Sequence, residues 1–179
     1  MLHSSDCSQK ALNDADNLLA AMWEAIPGIC DKLIADETRV LIVTGDGSQA
    51  FCSGADIGEF EIVYRSAEST AEYNRKVRVA QARLRDMPCP TIAEIRGICY
   101  GGGCGLALAC DFRIASSNAS FAITPSKLGL AYSPTDTWQL IEKVGVSRAK
   151  DLLLTGRSIA AKEALEIGLI DRVDNDATA

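Results

Sequence analysis

The chain has 179 residues, 47% of them hydrophobic and 23% charged, with 18 basic against 24 acidic side chains and a net charge of −6. That composition fits one soluble globular domain, long enough to bury a core. The acidic balance excludes a general nucleic-acid binder, no apolar run reaches membrane-spanning length, and any anionic ligand needs local positive groups.

Residues 1–13 read as a polar leader, expected to be mobile, without the basic and apolar blocks of a signal peptide. Apolar residues at Leu18, Leu19, Met22, Trp23, Ile26, Ile29, Cys30 and Leu33 predict an amphipathic helix over 14–35. Arg39 to Thr44 carries the apolar run of a strand in the middle of a parallel sheet. Gly45-Asp46-Gly47-Ser48-Gln49-Ala50 has the spacing of a loose dinucleotide-binding turn. Phe51-Cys52-Ser53-Gly54 interrupts the helix such a turn must open, so a solvated turn is the better reading. Residues 50–60 form a second strand-end turn opening a short helix, where Gly54 frees the backbone and Asp56 suits the first helical turn. Glu72 to Met87 predicts a helix whose basic residues, Arg75, Lys76, Arg78, Arg83 and Arg85, line a solvated face.

Residues 91–95 then lead as a strand into Gly97-Ile98-Cys99-Tyr100-Gly101-Gly102-Gly103-Cys104. Three successive glycines let another group approach the backbone, and a helix start presents unpaired N–H groups. Together they suit a developing negative charge; close helix–strand packing is the alternative. Residues 111–116 alternate like a strand and 119–122 form a short extended piece. Thr124 to Pro134 is an irregular loop of the kind that carries function. Helices near 135–144, 147–154 and 160–167 and a last strand over 168–173 complete an alternating α/β domain.

The only histidine is His3, which argues against histidine-dependent triads and multi-histidine metal sites. Seven cysteines, at 7, 30, 52, 89, 99, 104 and 110, form no Cys-x-x-Cys pair. Their odd number and apolar settings point to reduced thiols and a cytoplasmic location. Cys104 has no histidine to activate it and reads as a small buried residue.

Several segments occur in an order that resembles the crotonase superfamily, also called the enoyl-CoA hydratase/isomerase family. They are residues 50–57, 97–104 and 110–115, then Leu128-Gly129-Leu130, Leu154-Thr155-Gly156-Arg157 and Ala161-x-x-Ala164-x-x-x-Gly168-Leu169-Ile170-Asp171. The resemblance implies an α/β fold, a spiral of ββα turns, over a single domain at 14–174 with a tail at 175–179. That domain lacks the family's first strand pair and its C-terminal helical region. It implies an acyl-CoA substrate, no metal or redox cofactor (coenzyme A enters only as part of the substrate), and a homo-oligomer, trimeric or hexameric. The family's oxyanion hole falls by position on the backbone N–H groups of Ala55 and Gly102. Ser53, Gly54, Asp56, Ile57, Gly101 and Thr124 are the implied substrate-binding residues.

The departures bear on the reaction. Family hydratases use two glutamates, and the matching positions here are Gly105 and Pro125, neither of which transfers a proton. Thr124-Pro125-x-x-Leu128-Gly129-x-x-Tyr132 resembles the methylmalonyl-CoA decarboxylase branch, although Ala55 stands where that branch has histidine. Loss of CO₂ from a malonyl-type thioester leaves an enolate, so it needs an oxyanion hole but no strong base. Tyr132 is then a candidate catalytic residue, or else a loop tyrosine with a satisfied hydroxyl. Asp136 is a candidate general base, or else a helix cap. Three readings stay open: an enolate-stabilising hydratase or isomerase, a decarboxylase, and a non-catalytic CoA-binding or assembly subunit. A nucleotide-binding oxidoreductase rests on residues 45–50 alone.

Overall fold

The computed structural model describes Leu2–His3, Asn17–Leu18 and residues 20–174. Leu2–His3 is strand β1 and Asn17–Leu18 is β2; the other leader residues, 14–16, 19 and the tail at 175–179 lie outside the described residues. Helix α1 (Ala20–Ala35) buries Trp23, Ile26, Cys30 and Leu33 on one stripe. Its first amide is satisfied at long range, Ala20 N donating to Glu59 Oε2 at 2.8 Å.

Three ββα turns follow. The first has β3 (Leu41–Thr44), β4 (Ala50–Cys52) and the two-residue β5 (Gly54–Ala55). A 3₁₀ turn at Ile57–Glu59, then α2 (Phe60–Val63) and α3 (Ala67–Arg85), complete it. The second runs through β6 (Thr91–Ile95) and β7 (Ile98–Tyr100) into α4 (Gly102–Leu108). The third has β8 (Phe112–Ser116), β9 (Ser120–Ala122), a 3₁₀ turn at Pro125–Leu128 and α5 (Pro134–Val144). Helix α6 (Val146–Thr155), β10 (Ser158–Ala160), α7 (Ala161–Glu166) and β11 (Arg172–Asp174) close the described chain.

Each turn gives its first strand to one sheet and its second to another. The five-stranded sheet runs β1-β3-β6-β8-β11 and the four-stranded sheet β10-β9-β7-β4. Pairing is parallel except at the edges β1 and β10. This is the expected spiral of ββα turns. Among the described residues no helix is long and apolar enough to cross a membrane.

The corners between the two sheets decide several local outcomes. Gly97, at φ +61°, turns the chain from β6 to β7, and a Cβ there would stand 2.0 Å from the Gln49 carbonyl oxygen. Ile98 N donates to that same oxygen at 3.1 Å, stacking one corner on the next. The strand read as running straight into the glycine turn is therefore two strands in two sheets. Residues 45–49 likewise join β3 to β4, strand to strand with Ala50 already in β4, which removes the context a dinucleotide-binding turn requires.

Tertiary pairing also moves element ends. Helix α1 begins at Ala20 and not at 14, because Asn17–Leu18 pairs with β5, Leu18 opposite Ala55. Leu2 and His3 pair with Val43 and Ile42, so these two residues of the leader expected to be mobile lie in an edge strand. Ser66 caps α3 reciprocally with Ser69, so that helix starts before Glu72. The last strand begins at Arg172: Gly168, at φ +79°, ends α7, and the Leu169 and Ile170 amides return to Ala164 O.

Arg113, 1% exposed, ties β8 to that C-terminal turn. It donates to Leu169 O at 2.9 Å, Cys110 O at 2.9 Å and Asp171 Oδ2 at 2.6 Å. Asp111 Oδ2 accepts from both Thr91 N and Thr91 Oγ1, joining the starts of β6 and β8. The motif residues 110–113 and 168–171 thus hold the spiral together. Gly97→Ala combines overpacking with a left-handed penalty, and urea unfolding should show a loss of roughly 3 kcal/mol.

Candidate active site

Two backbone turns meet where the first two spiral turns abut. Gly54, at φ +113°, leaves room for a Cβ only at 3.3 Å from Tyr100 O and 3.7 Å from Gly102 N. From the other side, a Cβ at Gly102 would stand 3.7 Å from Ala55 N and 3.6 Å from Trp23 Cζ2. The Ala55 and Gly102 amides therefore lie on apposed turns. Gly102 is the first residue of α4, so its N–H has no partner within the helix.

The neighbouring glycines answer separate steric demands. Gly101 adopts φ 52°, ψ −113°, a conformation that side chains avoid, and a Cβ there would meet Thr124 Oγ1 at 3.0 Å. A Cβ at Gly103 would stand 2.5 Å from Cys52 O. Close packing and an open amide are thus both present in one stretch. The Cys104 thiol, 2% exposed, donates to Cys99 O at 2.8 Å, as a small buried residue does. All six described cysteines are buried; burial pushes the Cys110 thiol up to about 12.

Gly105 lies one helical turn beyond Gly102. A Cβ there would stand 2.7 Å from Asp136 Oδ1 and 2.7 Å from Gln81 Nε2. Helices α5 and α3 therefore fill the space into which a side chain at 105 would grow. Ser133, not Asp136, caps α5: its hydroxyl accepts from Asp136 N at 3.0 Å and donates to Asp136 Oδ2 at 2.8 Å. Asp136 Oδ1 is left buried without a hydrogen-bond partner, as are both polar atoms of Gln81 and Oε1 of Gln139. A buried polar atom left without any partner, protein or water, costs about 1–3 kcal/mol. Burial pushes the Asp136 carboxyl above its ordinary 3.8, against smaller opposing effects from the Ser133 hydroxyl and the Gln81 amide.

Tyr132 packs against the core and donates its hydroxyl to Gly101 O at 3.0 Å. Burial first and the Asp136 charge second hold its phenol well above the usual range. Thr124 reaches the Gly101 turn, and Ser53 separates β4 from β5. Asp56 turns elsewhere: its Oδ1 accepts from Gly58 N at 2.7 Å and closes the 3₁₀ turn that begins at Ile57. Sequence reasoning missed Gln81 and Trp23. Gln81 carried a signal, since Val77, Ala80, Gln81 and Leu84 share one helical stripe and a glutamine interrupts it. Arg75 pairs with Glu72 on the exposed side of α3, whereas the half-buried Lys76 and Arg83 bridge to Glu24 and Asp31 of α1 instead of lining a purely solvated face.

A carboxyl with a raised native pKa binds its proton more tightly folded than unfolded. Asp136 therefore withdraws stability as pH rises from about 3.8, until the native group is also ionised. Asp136→Asn removes that loss, so its stability relative to the parent should climb over the same interval in denaturant titrations. Gly105→Ala should cost about 1–3 kcal/mol by overpacking, and at most half of that in an Asp136→Ala background.

A profile of the family described as Enoyl-CoA hydratase/isomerase matches residues 16–178. The chain is 40% identical over 166 residues to the crotonyl-CoA hydratase of Syntrophomonas wolfei, covering 92% of this chain and 62% of that protein. It is 34% identical over 158 residues to the mitochondrial methylglutaconyl-CoA hydratase of Homo sapiens, covering 88% of this chain and 45% of that one. The crystal structure of an enoyl-CoA hydratase/carnithine racemase from Magnetospirillum magneticum aligns with a TM-score of 0.87 at 34% identity, covering 92% of this chain and 63% of the other. The chain spans about half the length of the relatives it matches. Profile, sequence identity and fold agree: the chain belongs to the enoyl-CoA hydratase/isomerase family, the crotonase superfamily.

Proposed function

We propose that the chain acts on an acyl-CoA thioester through an enolate whose oxygen is held by the Ala55 and Gly102 N–H groups. The apposition of those two backbones supports this reading more than any side chain does. Backbone donors fixed in a closed site stabilise an oxyanion without reorganising, and one such donor is worth about 3 kcal/mol in the transition state. Substrate carbon adjacent to the thioester then loses or gains a proton.

Asp136 is the proton-transfer group in this reading. Its Oδ1 stands where a side chain at 105 would grow, and Gly105 lies one helical turn beyond Gly102 in α4. Desolvation favours its neutral form and brings it nearer the range in which a carboxyl both takes and returns a proton. A single such group suits a proton shift within an enoyl thioester better than hydration, which needs a second group for water. Acyl-CoA as the partner and a homo-oligomeric assembly belong to the same proposal.

Mass spectrometry of the 179-residue chain incubated in D₂O with 3-butenoyl-CoA, crotonyl-CoA and methylmalonyl-CoA separates the readings. Deuterium entering the acyl chain supports the proposal. Water added to crotonyl-CoA would mean hydration by a further acid–base group, and CO₂ lost from methylmalonyl-CoA would mean a decarboxylase. A folded chain that binds the thioesters and changes none would be a CoA-binding subunit. Gly102→Pro removes one donor at a helical position that tolerates proline, where a Cβ meets nothing closer than 3.6 Å. Its kcat should fall by about 10²–10³ with the fold retained. Asp136→Asn should lower kcat by about 10²–10⁴.

A further inference from the structure

The Gly101–Gly102 peptide is flanked by glycine on both sides. The freedom that lets it approach Gly54 also lets the whole peptide plane rotate, turning the Gly101 carbonyl where the Gly102 N–H should point. An acceptor in that place would repel a developing oxyanion. Two hydrogen bonds oppose the rotation, both to Gly101 O: one from Gly105 N at 3.2 Å within α4, one from the Tyr132 hydroxyl at 3.0 Å. The second comes from outside the helix, from the chain just after the 3₁₀ turn at Pro125–Leu128.

We propose that Tyr132 is a positioning residue that locks the Gly101–Gly102 peptide with its N–H facing the thioester oxygen. Donation to the carbonyl end also polarises the same peptide, strengthening its N–H by the cooperativity of linked hydrogen bonds, on the order of 10–30% per bond. The phenol remains a donor throughout the working pH range because burial and the neighbouring Asp136 carboxylate both oppose its ionisation. The thiols of Cys104, Cys99 and Cys52 act on the phenol in the same direction as Asp136. Tyr132 thus has its hydroxyl committed to the backbone, acting on the substrate through Gly102. This inference rests on the thioester site proposed above.

The test is the carbonyl stretch of a ¹³C-labelled crotonyl-CoA bound to the chain, read by difference infrared, beside steady-state kinetics. In the parent the stretch should move to lower frequency on binding. Tyr132→Phe should return it at least halfway to the free value and lower kcat about tenfold to a hundredfold, less than loss of a donor outright, while KM changes less than threefold. Site-specific 3-fluorotyrosine at 132, a stronger donor of nearly the same shape, should move the stretch beyond the parent value, which a merely structural role would not do. A parent shift that neither variant alters overturns the role of Tyr132 and leaves the thioester site standing. A parent that binds without any shift overturns the site and the inference together. If Tyr132→Phe fails to fold, the fluorotyrosine comparison alone decides.

Discussion

The candidate site depends on a contact that has no side chain in it. Gly54 and Gly102 bring two main chains together so closely that each would place a Cβ within 3.7 Å of the other turn's amide nitrogen. Donors held this way are as rigid as the sheet and helix that carry them, because the backbone between a strand and a helix has few alternatives. The surrounding elements serve the approach. β2 pairs with β5 beside Ala55, Trp23 of α1 backs Gly102, and Cys52 leaves no room for a Cβ at Gly103. Conformational freedom at glycine is also a liability, and the Gly101 carbonyl carries bonds from Gly105 and Tyr132 that restrain it.

Around that contact the electrostatics are spare. Burial is the largest influence on the ionisation of both Asp136 and Tyr132. Family hydratases place carboxylates on the α4 helix and in the loop after β9. Here the space beside α4 is filled from α3 and α5 instead, by Gln81 and Asp136 packed against the bare backbone of Gly105. Gly105 and Asp136 are therefore one arrangement: a side chain at 105 and the present position of Asp136 exclude each other.

Much of the fold was legible because it follows from local rules. The apolar run at 41–44 gave a strand of a parallel sheet, 91–95 read as a strand, and the stripe at Trp23, Ile26, Cys30 and Leu33 gave a helix. What escaped were features set by distant partners. The split between β6 and β7 depends on Gln49 lying against Gly97, and the late start of α1 depends on Gly54–Ala55 competing for Asn17–Leu18. Neither partner is within the window over which periodicity is read.

By itself the sequence determined the family, the spiral, the two backbone turns and the absence of glutamate at 105 and 125, since each is written in residue type and spacing. Only the tertiary structure decided where the remaining polar residues lie and what they bond. A tyrosine and an aspartate in an irregular loop look alike as catalytic groups or as local hydrogen-bond formers. Their environments separated them: Tyr132 spends its hydroxyl on Gly101, and Ser133 takes the cap and leaves Asp136 Oδ1 unpartnered against Gly105. Burial and partner geometry are properties of the packed chain, and they arise between residues that the sequence keeps far apart.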